Sequence, residues 1–165
     1  MKCVNSGELK ASRTPGGHYR ILKGDLEDFT IKKKMYPLVH NHSSHKKILI
    51  VDDDYQVQKL LTVMLSYKKY ETETASSGFE AGAKVVKFNP GLIILDLFMP
   101  EMSGFEVCRQ IKKDPETSHI KIIALTGHDS KQNRDRIMEA GADDYMAKPV
   151  EKDVLLQHVE DLLSI

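Results

Sequence analysis

From Lys46 onward, short β-branched runs alternate five times with stretches of helical periodicity, and that alternation leaves few folds open. The strong runs cover residues 48–51, 92–95 and 120–125, and weaker ones cover 70–75 and 144–147. Between them, Val57, Leu60, Leu61, Met64 and Leu65 follow the i, i+3, i+4, i+7, i+8 spacing of one apolar helix face. Gly104, Val107, Cys108 and Ile111 repeat that spacing, as do Leu155, Val159 and Leu162, and residues 78–88 and 131–140 supply two further helices. Asn89-Pro90-Gly91 and Gly141-Ala142 are stop signals. Strands alternating with helices of this length predict an α/β fold, a parallel sheet with helices on both faces. The near-continuous apolar character of the strands fits burial on both sides.

The residues that end these runs carry the chemistry. Residues 48–51 lead into Asp52-Asp53-Asp54, residues 92–95 into Asp96, residues 122–125 into Thr126-Gly127, and residues 145–147 into Lys148-Pro149. In an open parallel sheet, ligands bind outside the carboxyl ends of the strands. Clustered carboxylates raise each other's pKa unless a cation neutralises them. Mg²⁺ suits such a cluster, since it takes one or two carboxylates at about 2.1 Å and keeps waters that a phosphate can displace. Lys148 brings a positive charge and Thr126 a hydroxyl donor for phosphoryl oxygens, while Gly127 leaves access open. Lys148-Pro149 is a candidate cis peptide. Taken singly, Asp96 reads as a turn former, Thr126 and Lys148 as surface residues, and Asp54 as the N-cap of the first helix. Their joint occurrence, each after its own strand, favours one pocket for a metal and a phosphoryl group.

With 41% hydrophobic and 29% charged residues, the composition is that of a soluble globular protein. No apolar stretch approaches the roughly 20 residues that span a bilayer, so no membrane insertion is expected. Cys3 and Cys108 make no disulfide framework, Cys108 reads as a small core residue, and a cytoplasmic location follows. The net charge is zero but uneven: residues 1–45 hold 8 Lys+Arg against 4 Asp+Glu, and the remainder 16 against 20. A basic arm over residues 1–38, a linker over 39–46 and a domain over 47–165 follow from these shifts. His40, His42 and His45 in the linker region are possible metal ligands, though histidines on a flexible segment more often bind nothing specific.

Residues 46–165 resemble the receiver domain of bacterial two-component response regulators. Ile48-Leu49-Ile50-Val51-Asp52-Asp53-Asp54 looks like that family's first strand and acidic pair, and Leu95-Asp96-Leu97-Phe98-Met99-Pro100 with Gly104 resembles its phosphoacceptor loop. Ala124-Leu125-Thr126-Gly127 is similar to its switch strand, and residues 141–149 to its last strand and lysine. The resemblance implies a flavodoxin-like, doubly wound sheet of five parallel strands in the order 2-1-3-4-5. It further implies that Asp96 accepts a phosphoryl group from a sensor histidine kinase or phosphotransfer protein. Asp52 and Asp53, with Asp96 and the backbone carbonyl of Phe98, would hold Mg²⁺ (or Mn²⁺), and Thr126 and Lys148 would bind the phosphoryl oxygens. Asp52 and Asp53 are chosen over Asp54 because they directly follow Val51. Tyr145 matches the aromatic switch position and is expected to turn inward on phosphorylation, remodelling the face around residues 128–160. Phe98 and His128 would flank the path of hydrolytic water. Dimerisation through the last two helices and strand is a further expectation.

The arm offers a second, partial resemblance. Residues 6–21 look like the wing hairpin of excisionase/MerR-type winged-helix DNA-binding domains, with Gly16-Gly17 at the turn and residues 24–29 as the following helix. In that family Arg13, His18 and Arg20 would touch DNA phosphates. The helix-turn-helix expected before the wing does not precede it in this sequence, so either the chain is a fragment or starts late, or the module has decayed into a basic tail without specific DNA binding on a single-domain signalling relay. Lys32-Lys33-Lys34 fits either. The expectation is a signalling protein rather than an enzyme: haloacid-dehalogenase-like phosphatases also pair an Asp nucleophile with Mg²⁺, but they need an acid two residues on, where this chain has Phe98. A receiver-like module that no longer accepts phosphate is a third reading, against which the complete pocket speaks.

Overall fold

The structure, a computed structural model, describes residues 46–163 and, in the arm, the backbone of Ser12–Arg13 and Tyr19–Arg20. The chain divides into two compact units, Met1–Asn41 and His42–Ile165. In the first, β1 (Ser12–Arg13) pairs antiparallel with β2 (Tyr19–Arg20), Ser12 opposite Arg20 and Arg13 opposite Tyr19. Gly16-Gly17, His18, residues 24–29, the lysine run at 32–34, and His40, His42 and His45 lie outside the described residues, as do the side chains of Arg13 and Arg20.

In the second unit the alternation becomes β3 (Lys47–Val51), α1 (Tyr55–Ser66), β4 (Glu71–Ala75), α2 (Gly78–Phe88), β5 (Leu92–Asp96), α3 (Gly104–Lys113), β6 (Lys121–Thr126), α4 (Lys131–Glu139), β7 (Asp144–Ala147) and α5 (Lys152–Leu163). The strands form one parallel sheet in the order β4-β3-β5-β6-β7, the 2-1-3-4-5 arrangement expected. Winding reverses between β3 and β5, which opens a crevice at their carboxyl ends.

Alternation along the central strands feeds two cores. Leu49, Val51, Ile93, Leu95, Ile122 and Ala124 pack with α2, α3 and α4, whereas Ile48, Ile50, Leu92, Ile94, Ile123 and Leu125 pack with α1 and α5. Each such Ile or Leu contributes roughly 1.5–3 kcal/mol by leaving water. Strand β4 departs from the apolar pattern. Its Glu-Thr-Glu-Thr-Ala sequence alternates exposed and half-buried positions because it is an edge strand with one free side. Cys108 is buried as expected, and burial pushes its thiol up to about 11, which keeps it unreactive.

One face expectation needs correction. Leu60 is 52% exposed, and the buried stripe of α1 runs through Gln58, Leu61 and Leu65 instead. At 100° per residue Leu60 falls on the margin of the stripe, and the helix is rotated toward Gln58, whose amide has buried partners described below. Asp54 caps α1 as anticipated, its carboxylate accepting the Gln56 N–H at 2.7 Å. At the far end of α2, Asn89 takes the left-handed cap with φ 51° and closes the helix where the stop signal predicted.

Candidate functional site

Asp96 is the last residue of β5 and Thr126 the last of β6, while Asp52 directly follows β3 and Lys148 directly follows β7. The parallel register therefore delivers all four to one end of the sheet. Asp52 is 2%, Asp96 6% and Thr126 0% exposed. The Lys148 ammonium donates to Asp52 Oδ2 at 2.7 Å and to Asp96 Oδ1 at 2.8 Å. The remaining carboxylate oxygens take loop amides: Asp54 N–H donates to Asp52 Oδ1 at 3.0 Å, and Phe98 N–H to Asp96 Oδ2 at 2.7 Å. Lys148-Pro149 is cis, and Lys148 N–H donates to Thr126 O at 2.7 Å, tying the lysine to the end of β6.

Electrostatically the pocket is short of positive charge. Burial pushes the Asp52 carboxyl above its ordinary range, and the hydrogen bond from Lys148 only partly offsets this. For Lys148, burial alone would favour the neutral amine. Its bonds to Asp52 and Asp96 outweigh that and hold its pKa above the ordinary lysine value. One ammonium thus serves two buried carboxylates, a balance that a divalent cation would complete.

The donor set suits Mg²⁺. Asp52 and Asp96 offer hard oxygens with spare lone pairs, and exposed Asp53 adjoins them. Among the described residues no three acid, histidine or cysteine side chains are already gathered into a cage. Mg²⁺ asks for none, since it binds through one or two carboxylates plus water and phosphate.

Gly104 explains the loop. A Cβ there would sit 2.1 Å from Asp96 O and 2.9 Å from Leu97 Cα, so only glycine lets the start of α3 close against the Asp96 loop. A Cβ at Gly127 would meet nothing within 4 Å, so the mouth is open on that side.

A family model for the response regulator receiver domain matches residues 48–160. The chain belongs to the response regulator receiver family. Over 116 residues this receiver is 39% identical to response regulator PleD of Caulobacter vibrioides, covering 70% of this chain and 26% of that protein. It is 35% identical over 117 residues to the DNA-binding dual master transcriptional regulator RpaA of Synechocystis, covering 71% and 48%. The chain thus spans between a quarter and a half of these relatives' lengths. Among solved structures, the signal receiver domain of a signal transduction histidine kinase from Syntrophus aciditrophicus superposes with a TM-score of 0.67 at 39% identity, covering 72% of this chain and 89% of that one.

The receiver's structure brings Asp52, Asp96 and Lys148 into direct contact, with Thr126 on the neighbouring strand end and Asp53 beside them. Phe98 and His128 stand against each other, ring centroids 5.0 Å apart, with Phe98 47% exposed and in a T-shaped pair with Phe105 at 6.0 Å. Tyr145 is already packed, 8% exposed, rather than turned outward. Its hydroxyl donates to Asp129 Oδ1 at 3.1 Å, and the Arg134 guanidinium lies 5.0 Å from the ring centroid. Sequence reasoning missed Asp129 and Arg134 because nothing in their spacing marks them. It also missed Gln58, for which a signal existed: an amide inside an apolar helix face, four residues after the N-cap.

Proposed function

We propose that this chain is a phosphorylation-controlled signalling switch in which Asp96 accepts a phosphoryl group from a sensor histidine kinase or phosphotransfer protein. The observation that carries the reading is the single ammonium of Lys148 shared by the two buried carboxylates of Asp52 and Asp96. An Asp96 oxygen attacks phosphorus in line, the P–N bond to the donor imidazole breaks, and its electron pair leaves on nitrogen. Lys148 exchanges part of its contact with Asp96 for an oxygen of the incoming group, and the Thr126 hydroxyl donates to another. Asp52, Asp53 and Asp96 with the Phe98 carbonyl would hold Mg²⁺ (or Mn²⁺), which supplies charge neutralisation on the phosphoryl oxygens when bound. To reach that group the Thr126 side chain swings toward it, drawing Oγ1 away from the His128 N–H that it now accepts at 3.1 Å. That movement loosens the 126–129 loop, and with it the Asp129 anchor of Tyr145, so the face around residues 128–160 shifts between two packings.

The test is incubation with acetyl phosphate and Mg²⁺, read by intact mass. The native chain gains one acid-labile phosphoryl group and Asp96→Asn gains none. A native chain that stays unmodified overturns the reading. Phe98, standing with His128 at the mouth, screens the acyl phosphate from water. Phe98→Asn is expected to shorten its lifetime several-fold, and an unchanged lifetime would count against that role.

The output of the arm is a second proposal, supported by its basic charge and the β1–β2 pairing. If Arg13, His18 and Arg20 contact DNA phosphates, gel-shift affinity falls steeply with salt. The absence of any shift at low salt would leave a single-domain relay.

A further inference from the structure

Of the buried polar residues among those described, Asp52, Gln58, Asp96 and Thr126, only Gln58 has no part in the reaction proposed above. It is 7% exposed, on the first turns of α1. Its side-chain amide donates to Asp52 O at 2.6 Å and to Ala75 O at 3.2 Å. Ala75 O also accepts Asp52 N–H at 3.0 Å, one step beyond the last rung of the β3–β4 ladder, Val51 opposite Ala75. Past that rung the two strands part, and the Asp52 carbonyl would lose its ladder partner. The two N–H groups of Gln58 close the gap.

We infer that Gln58 is a positioning residue for the acidic pair and sets the divalent-cation affinity of the site, an inference that rests on the phosphoacceptor reading. Asp52 is held at four points: its N–H by Ala75, its carbonyl by Gln58, and its two carboxylate oxygens by Asp54 N–H and Lys148. The carbonyl bond alone fixes the plane of the Asp52–Asp53 peptide, and that plane sets the direction in which exposed Asp53 leaves the sheet. Gln58 is itself anchored, its N–H donating to Asp54 O at 3.0 Å and its carbonyl accepting the Thr62 hydroxyl at 2.8 Å. An amide suits the position because it donates twice without adding charge to a pocket already strained by two acids. Without those donors the buried Asp52 carbonyl must turn to find water, and Asp53 turns with it.

The experiment is calorimetric titration of Mg²⁺ into the full chain, native, Gln58→Met and Gln58→Glu, at a pH where all three unfold cooperatively. Loss of such an outer partner weakens metal binding about 10–100-fold, and both variants are expected in that range. In acetyl phosphate reactions the Mg²⁺ concentration for half-maximal rate rises by the same factor, while the rate at saturating Mg²⁺ stays within about twofold of native. A merely structural role would lower stability without that split. Thr62→Val, which removes the bond to the Gln58 carbonyl and leaves the amide in place, keeps native affinity. Should Gln58→Met fail to fold, the isosteric Gln58→Glu carries the comparison. A native chain that binds Mg²⁺ beside variants that bind it equally overturns the role of Gln58 alone; a native chain that binds none overturns the site reading and this inference together.

Discussion

The two ends of the sheet use the same side chains in opposite proportion. At the carboxyl end one lysine, Lys148, serves two buried carboxylates, Asp52 and Asp96. At the amino end one carboxylate, Asp143, serves two lysines: Lys112 at 2.7 Å and Lys121 at 3.0 Å, with Ile122 N–H adding a third donor at 2.9 Å. Burial opposes ionisation at both ends. For Asp143 the bonds from Lys112, Ile122 and Lys121 win and hold the carboxyl below its ordinary range; for Asp52 burial wins and pushes it up. A saturated carboxylate is a fastener between α3, β6 and β7. In the proposed reading an under-supplied pair is a receptor for more positive charge.

The largest expected effect comes from deleting one lysine at each end. Lys148→Met should slow phosphoryl uptake about 10²–10³-fold, the usual cost of removing a preorganised charge. It should also weaken the fold by about 3 kcal/mol by stranding two acids. Lys112→Met should cost about 1 kcal/mol, since Lys121 stays, and leave uptake at the native rate. Uptake rates and urea midpoints decide, and equal losses at both ends would break the comparison.

Cation binding sharpens it further. Mg²⁺ at about 100 times its dissociation constant should raise native stability by roughly 2.7 kcal/mol, do the same for Asp143→Asn, and do little for Asp52→Asn. A thermal-shift series with and without chelator reads this.

Smaller, and opposite in sign, are the pH effects. Asp143 has a lowered folded pKa, so its contribution is present above its ordinary value of 3.8 and fades as pH falls through the folded one. Asp52 has a raised folded pKa, so its ionisation costs stability as pH rises from 3.8 through the folded value. Without Mg²⁺, Asp143→Asn should therefore destabilise at pH 7 and converge with the native chain in acid. Asp52→Asn should gain stability at pH 7 and lose that gain below about pH 3.8. Unfolding midpoints against pH with parallel slopes for the two variants would contradict the assignment.

The predicted helix from 78 to 88 matches the observed one because its asparagine-proline stop acts locally, and those at 131 and 104 start where expected, just after Ser130 and Ser103. The strand ends were legible for the same reason: an apolar run buried on both faces halts where a charge or hydroxyl begins. Leu60 misled because periodicity gives the width of a face but not its centre, which the buried hydrogen bonds of Gln58 decided. The packed position of the Tyr145 ring was not legible, because it depends on Asp129 and Arg134, partners contributed by another loop and helix.

The sequence by itself determined the alternation, the parallel sheet and the identity of the groups at each strand end, since hydrophobic period and chain punctuation depend on near neighbours. Only the tertiary structure decided the stoichiometry of charge: Lys148 lies 96 residues from Asp52 and 52 from Asp96, and Lys112 lies 31 from Asp143. Which ion meets which is set by strand order and burial, and those determine whether a carboxylate is saturated or left seeking a cation.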